Sequence, residues 1–140
     1  MPRKVLLSRE FSNTLDRLVA LQEEVNGILL YRLQGVYCPI EAIFMTGVGN
    51  EGHVQADQQR MDIANEFFRR NPNYNFVKFH THSRGTIARF GEHYVTHFSD
   101  GDIQGYDEQL RENPDFIGMV ATPKAKLLYG RDKPSLLIVN

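Results

Sequence analysis

Two histidines one residue apart, His80-Thr81-His82, are the part of this chain best equipped for chemistry. Side chains at i and i+2 of a strand point to one face, with Cα atoms roughly 6.6–7 Å apart. Two imidazoles so placed can lean onto one metal ion, and zinc favours such nitrogen ligands. A catalytic zinc needs three protein ligands and one position left open for water. Taken alone, His-x-His is about as readily an alternating strand that happens to carry two histidines.

The third ligand should be a carboxylate or another histidine. Asp102 is the attractive choice, in the run Ser99-Asp100-Gly101-Asp102. The same run is a helix capping box, with Ser99 at the N-cap and Asp102 at N3. Alone it would be a cap in most cases, but the two roles are compatible. A carboxylate in the first turn is fixed in direction by the helix, and the Ser99 hydroxyl can face the open metal position. A general base is also required. Glu23 and Glu24 both precede an apolar strand, and residue type alone does not choose between them. Their ordinary role would be a solvated helix end.

The elements that must carry these groups follow from periodicity. Ser8 reads as an N-cap. After it, Phe11, Leu15, Leu18 and Val19 share a helical face that extends as far as Gln22, ahead of Glu23 and Glu24. Residues 28–33 and 36–46 form two apolar runs around Gln34-Gly35, a β-hairpin pattern. Pro39 lies in the second run, which predicts an edge strand or a bulge there, since proline donates no ladder hydrogen bond. Residues 47–52 read as a loop, with His53 beside it exposed to solvent. A helix beginning at Val54 or Asp57 carries Met61, Ala64, Phe67 and Phe68 to Arg70, and Asn71-Pro72-Asn73 stops it. A short strand over 76–79 leads into His80. Residues 83–98 show no clean period and read as a long loop. Ser99 opens a helix that runs to Glu112, and strands follow at 116–121, 126–129 and 135–139. Helices interleaved with strands predict a single α/β domain over residues 1–140, a mixed sheet with helices packed on it.

Composition narrows the function. The 140 residues hold 16 basic and 17 acidic side chains, a formal net charge of −1. With no basic block, binding to nucleic acid or to an anionic membrane has no support. Cys38 is the single cysteine. That excludes an internal disulfide, a four-cysteine zinc site and a C-x-x-C redox pair, and leaves Cys38 as a buried small hydrophobe. No signal peptide or membrane span is legible, so the expected location is the cytoplasm.

Taken together, Glu24-Val25-Asn26-Gly27-Ile28-Leu29-Leu30, His80-Thr81-His82 and Ser99-Asp100-Gly101-Asp102 resemble the JAMM motif of the JAB/MPN metallopeptidases. The three parts occur in that family's order, and the interleaved elements fit its fold from about residue 8 onward. The resemblance implies a three-layer α/β fold with a mixed, curved sheet flanked by helices, similar to that of cytidine deaminases. It implies Zn²⁺ on His80, His82 and Asp102, at one sheet edge near the Ser99 helix start. It also implies Glu24, rather than Glu23, as the general base and later acid, and Ser99 as a stabiliser of the oxyanion. The implied reaction is hydrolysis of an amide or isopeptide bond at the C-terminus of a ubiquitin-like or sulfur-carrier protein.

Two departures from the family pattern stand out. Many members continue His-x-His with proline, where this chain has Ser83. The 16 residues from Ser83 to Phe98 also exceed the common spacing. They include His93 and His97, which are rival ligands, and Arg84, Arg89, Phe90 and Tyr94. A long loop at this place suggests a lid, a clamp or a cover over the metal. The main alternative function is a catalytically silent MPN-type scaffold or protein-binding module, against which stands the intact motif. A nucleobase deaminase would need Pro-Cys-x-x-Cys, which one cysteine cannot supply.

Overall fold

A computed structural model describes residues 1–49 and 57–140. His53 and Val54 lie outside the described residues, as does most of the expected 47–52 loop. The elements run β1 (Lys4–Ser8), α1 (Arg9–Val19), β2 (Val25–Tyr31), β3 (Tyr37–Val48), α2 (Gln58–Arg70) and β4 (Asn75–Thr81). They continue with α3 (Arg84–Phe90), a 3₁₀ turn (Glu92–Val95), α4 (Asp100–Glu112), β5 (Ile117–Ala121), β6 (Lys126–Tyr129) and β7 (Ser135–Val139). The seven strands form one mixed sheet in the order β6-β5-β4-β2-β3-β1-β7. β4–β5, β1–β3 and β1–β7 pair in parallel. The other neighbours are antiparallel. Among the described residues no helix is long and apolar enough to cross a membrane.

Side-chain alternation assigns the two faces of the sheet. Leu29, Val77, Phe79, Ile117 and Met119 belong to the main core, against which Phe11, Leu15 and Leu18 of α1 pack. Burying a side chain of this size contributes roughly 1.5–3 kcal/mol. The alternate positions point the other way. Val120 packs with Tyr106 and Leu110 of α4, while Ile28 and Leu30 meet Ala64 and Phe67 of α2. Thus α1 covers one face and α2 and α4 cover the other, a three-layer arrangement. His80, next to Phe79 on β4, therefore points toward α4.

One strand was not foreseen, and three expectations need correction. Residues 4–8 form a strand, β1, which precedes the helix. Its five residues are too short for a periodic signal, and its stability comes from pairing with β3 on one side and β7 on the other. Helix α1 ends at Val19, short of Gln22, with its first turn capped by the Ser8 side chain accepting from Phe11 N at 3.0 Å. Pro39 does not mark an edge: β3 is interior, and the register shift opposite Leu30 and Tyr31 falls at Glu41. Pro39 faces Leu6 at the last position of the β1 ladder, where its missing N–H costs little. Finally, residues 83–98 are not an unstructured loop. Ser83 caps α3 by accepting from Thr86 N, and Gly91, at φ 109°, takes the left-handed conformation that ends it.

A bidentate ion pair ties the ends of the sheet together. Arg3 Nε and Nη2 each lie 2.9 Å from an Asp132 oxygen, and Arg3 N donates to the same carboxylate at 2.8 Å. These bonds hold the Asp132 carboxyl down at about 2. A depressed carboxylate contributes stability above its unfolded pKa of about 3.9 and loses it as pH falls through the folded value. Asp132→Asn should therefore destabilise the protein by about 1–2 kcal/mol at neutral pH. Urea unfolding of both proteins should show the difference shrinking between about pH 4 and pH 2. A constant difference across that window would mean the pair contributes through packing alone.

Candidate functional site

The chemistry-bearing residues converge where β4 ends. His80 is the sixth residue of the strand, and His82 follows it after Thr81, itself fixed because its Oγ1 accepts from Val25 N at 2.9 Å. Ser99 and Asp102 open α4. Both bonds of the capping box form: Ser99 Oγ accepts from Asp102 N at 3.0 Å, and Asp102 Oδ2 accepts from Ser99 N at 2.8 Å. Asp102 still reaches both histidines. His80 Nε2 lies 2.7 Å from Oδ1, and His82 Nε2 lies 2.9 Å from Oδ2. The carboxylate that caps α4 is also the one between the two histidines.

The outer partners of the two rings decide what the inner nitrogens can do. His82 Nδ1 faces the Tyr94 carbonyl at 2.9 Å, and a carbonyl only accepts, so this nitrogen carries a proton. His80 Nδ1 lies 3.1 Å from the Tyr106 hydroxyl, which donates its single proton to Met119 O at 2.9 Å. The phenol oxygen therefore accepts, and His80 Nδ1 is protonated as well. With Nδ1 protonated in both rings, the Nε2 atoms are the ones turned toward the Asp102 oxygens. The two nitrogens and a carboxylate oxygen, all within 4.8 Å of one another, are spaced to hold a metal ion. Carbonyl and hydroxyl partners behind ligating histidines are the usual second layer of a metal site. His80, His82 and Asp102 thus fit a metal ion.

Charge in this group is strongly shifted. Burial alone would raise the Asp102 carboxyl, but hydrogen bonds from His80 and His82 outweigh it and hold the group well below the ordinary carboxylate range. For His82, burial favours the neutral ring, and the bonds to Asp102 and Tyr94 reverse the balance and raise it.

Glu24 lines the same cleft, together with Thr86, Phe90, Tyr94 and Ser99. Its residue is 6% exposed, whereas Glu23 faces solvent. Of the two glutamates, Glu24 is the one in the cleft lining. Burial pushes the Glu24 carboxyl upward, opposed by a hydrogen bond from Thr86 Oγ1 to Oε2 at 2.9 Å. Ser99 Oγ is used as an acceptor in its cap, and no bond among the described residues uses its proton.

Every site residue expected from the sequence lines this one cleft. The site does not sit at a lateral edge of the sheet, as expected. It lies at the end of β4, two strands in from the β6 edge. His93 and His97 do not join His80, His82 and Asp102. They stack on each other in the open, with ring centroids 4.3 Å apart. Cys38 is buried, as expected. Three contributors were not foreseen: Thr86, the Tyr94 carbonyl and Tyr106. Only Tyr106 left a trace, since it stands four residues after Asp102 and so on the same face of α4.

No family model matches this chain, and no curated protein does. Among solved structures it is similar to the solution structure of protein DSY2949 from Desulfitobacterium hafniense, with a TM-score of 0.62. The alignment covers 97% of this chain and 93% of the other at 16% sequence identity. A likeness at that identity shows the fold alone.

Proposed function

We propose that this protein is a zinc-dependent metallopeptidase of the JAB/MPN type. In this reading it hydrolyses an amide or isopeptide bond at the C-terminus of a ubiquitin-like or sulfur-carrier protein. The observation that carries the reading is the convergence of two protonation-fixed histidines on Asp102, with a buried glutamate in the same cleft. Two imidazoles and a carboxylate are a donor set of the kind that zinc hydrolases use.

Bound by His80, His82 and Asp102, zinc supplies Lewis acidity toward the scissile carbonyl and makes water acidic enough to react near neutral pH. The side chains do the rest. Glu24 takes the proton from the attacking water and returns it to the leaving amine, so water adds across the C–N bond and the carboxylate is regenerated. Its burial keeps it basic, which suits a proton carrier. The unused Ser99 proton is available to the oxyanion that develops on the carbonyl; removal of such donors elsewhere costs about 2.7–4 kcal/mol of transition-state stabilisation. Asp102 and the two rings need no rearrangement to serve as ligands, because their outer hydrogen bonds already orient them.

Elemental analysis of the purified protein tests the metal assignment. Wild type should carry about one zinc per chain, and both Asp102→Ala and His82→Ala should carry little. Equal zinc in wild type and the variants would refute the ligand set. Iron in place of zinc would overturn the zinc assignment, and no metal after incubation with it would leave a silent scaffold. Cleavage of isopeptide-linked and linear ubiquitin-like fusions then tests the reaction.

A further inference from the structure

Resting on the hydrolase reading, we infer that Thr86, carried on the helix that interrupts the motif, is the positioning residue that sets the general base Glu24. The inference begins where the chain departs from the family pattern. Ser83 stands where many relatives have proline, and it is the N-cap of α3. Its Oγ lies 3.0 Å from the carbonyl of Gln22 and 3.2 Å from Thr86 Oγ1. One turn later, Thr86 Oγ1 donates to Glu24 Oε2 at 2.9 Å. The first turn of α3 therefore grips the connection between α1 and β2 at two places, the Gln22 carbonyl and the Glu24 carboxylate.

Both hydroxyl residues are inaccessible: Ser83 is 0% exposed and Thr86 is 1% exposed. The bond between Thr86 and Glu24 thus joins two buried groups. It engages Oε2 of a residue that lines the cleft. A carboxylate held by one oxygen presents the other in a fixed direction, which is what proton transfer over hydrogen-bond distance requires. The same inserted segment returns at Tyr94 to hold His82 through its carbonyl. It serves as the second wall of the centre, setting the base at its start and a metal ligand near its end. A detachable lid would not share hydrogen bonds with both.

The test compares wild type, Thr86→Val and Thr86→Ser for kcat, KM and zinc content on one isopeptide-linked ubiquitin-like substrate. Thr86→Val keeps the shape and removes the hydroxyl. Its kcat should fall about tenfold to a hundredfold, with KM within a factor of about three and zinc content unchanged. Thr86→Ser should restore most of the loss. A kcat in Thr86→Val close to wild type overturns the inference, as does a loss that serine fails to rescue or that follows lost zinc. Should Thr86→Val not fold, Thr86→Ala is read by the same criteria. A wild type without turnover on any such substrate refutes the hydrolase reading itself, an outcome distinct from the others.

Discussion

Glu24→Gln is expected to lower kcat/KM by roughly a hundredfold to ten-thousandfold and to leave the metal content of the protein unchanged. The two halves of that result have separate causes. Glutamine cannot take a proton from water near neutral pH, so the proposed base is lost. It has nearly the same shape, and its carbonyl oxygen still accepts from Thr86 Oγ1, so the buried hydroxyl stays satisfied. Glu24 is not among the three groups gathered for a cation. Initial rates on an isopeptide-linked substrate, measured beside elemental analysis, separate the halves. Full activity in the variant would remove Glu24 from the mechanism, and Glu23 would be tested next despite its exposure. Loss of metal together with activity would make Glu24 a ligand.

The largest effect on stability should come from Gly27→Ala. β2 runs between β3 and β4, with Gly27 opposite Met45 on one side and Phe79 on the other. A Cβ at Gly27 would meet the Phe44 carbonyl oxygen at 2.4 Å and the Phe79 ring at 2.7 and 2.9 Å. Phe79 is wholly buried, so its ring has no free space to move into. The obstacle on the other side is backbone. Relief therefore requires strands to shift, which places the change at the upper end of overpacking, about 3 kcal/mol or more. For a chain of this size the melting temperature should drop by roughly 10 °C. A drop of one or two degrees would mean the sheet yields easily at this point. Since Phe79 precedes His80, affinity at the proposed metal site should weaken in the same variant.

How much of this was legible in the sequence depends on the length and independence of each signal. α4 was read at its observed span because Ser99 caps it and Asn113-Pro114 ends it. β6 and β7 likewise coincide with their apolar runs. β1 was lost because five residues, Lys4 to Ser8, carry no period, and what makes them a strand is two partners distant in sequence. α3 was lost because seven residues containing Gly85 show no amphipathic stripe. Its only marks are a serine before it and a glycine after it, which also describe many loops. Pro39 misled in a different way. Its lack of a donor is a fact about one side of a strand, and here the ladder with β1 simply ends at that residue.

The site was more legible than the fold. Ligands announce themselves by residue type, and spacing by two or by three says which can share a face. The groups that orient them do so less often. A backbone carbonyl such as that of Tyr94 has no residue type to read, and threonine at 86 resembles any other threonine until its neighbour across 62 positions is known.

The position of β4 within the sheet has a consequence for the lifetime of the site. With two strands beyond it on one side and four on the other, the ladder around His80 opens only when most of the domain does. Its amides belong to the slow-exchanging class that reports global unfolding. The 3₁₀ turn at Glu92–Val95 has no ladder of its own and is held instead through the Tyr94 carbonyl on His82 and the Val95 carbonyl on Thr122. Opening there would release the Tyr94 carbonyl while leaving both imidazoles and Asp102 mounted on the parts of the chain that stay closed. A disturbance of that turn would therefore alter how His82 is oriented without dispersing the groups that define the cleft.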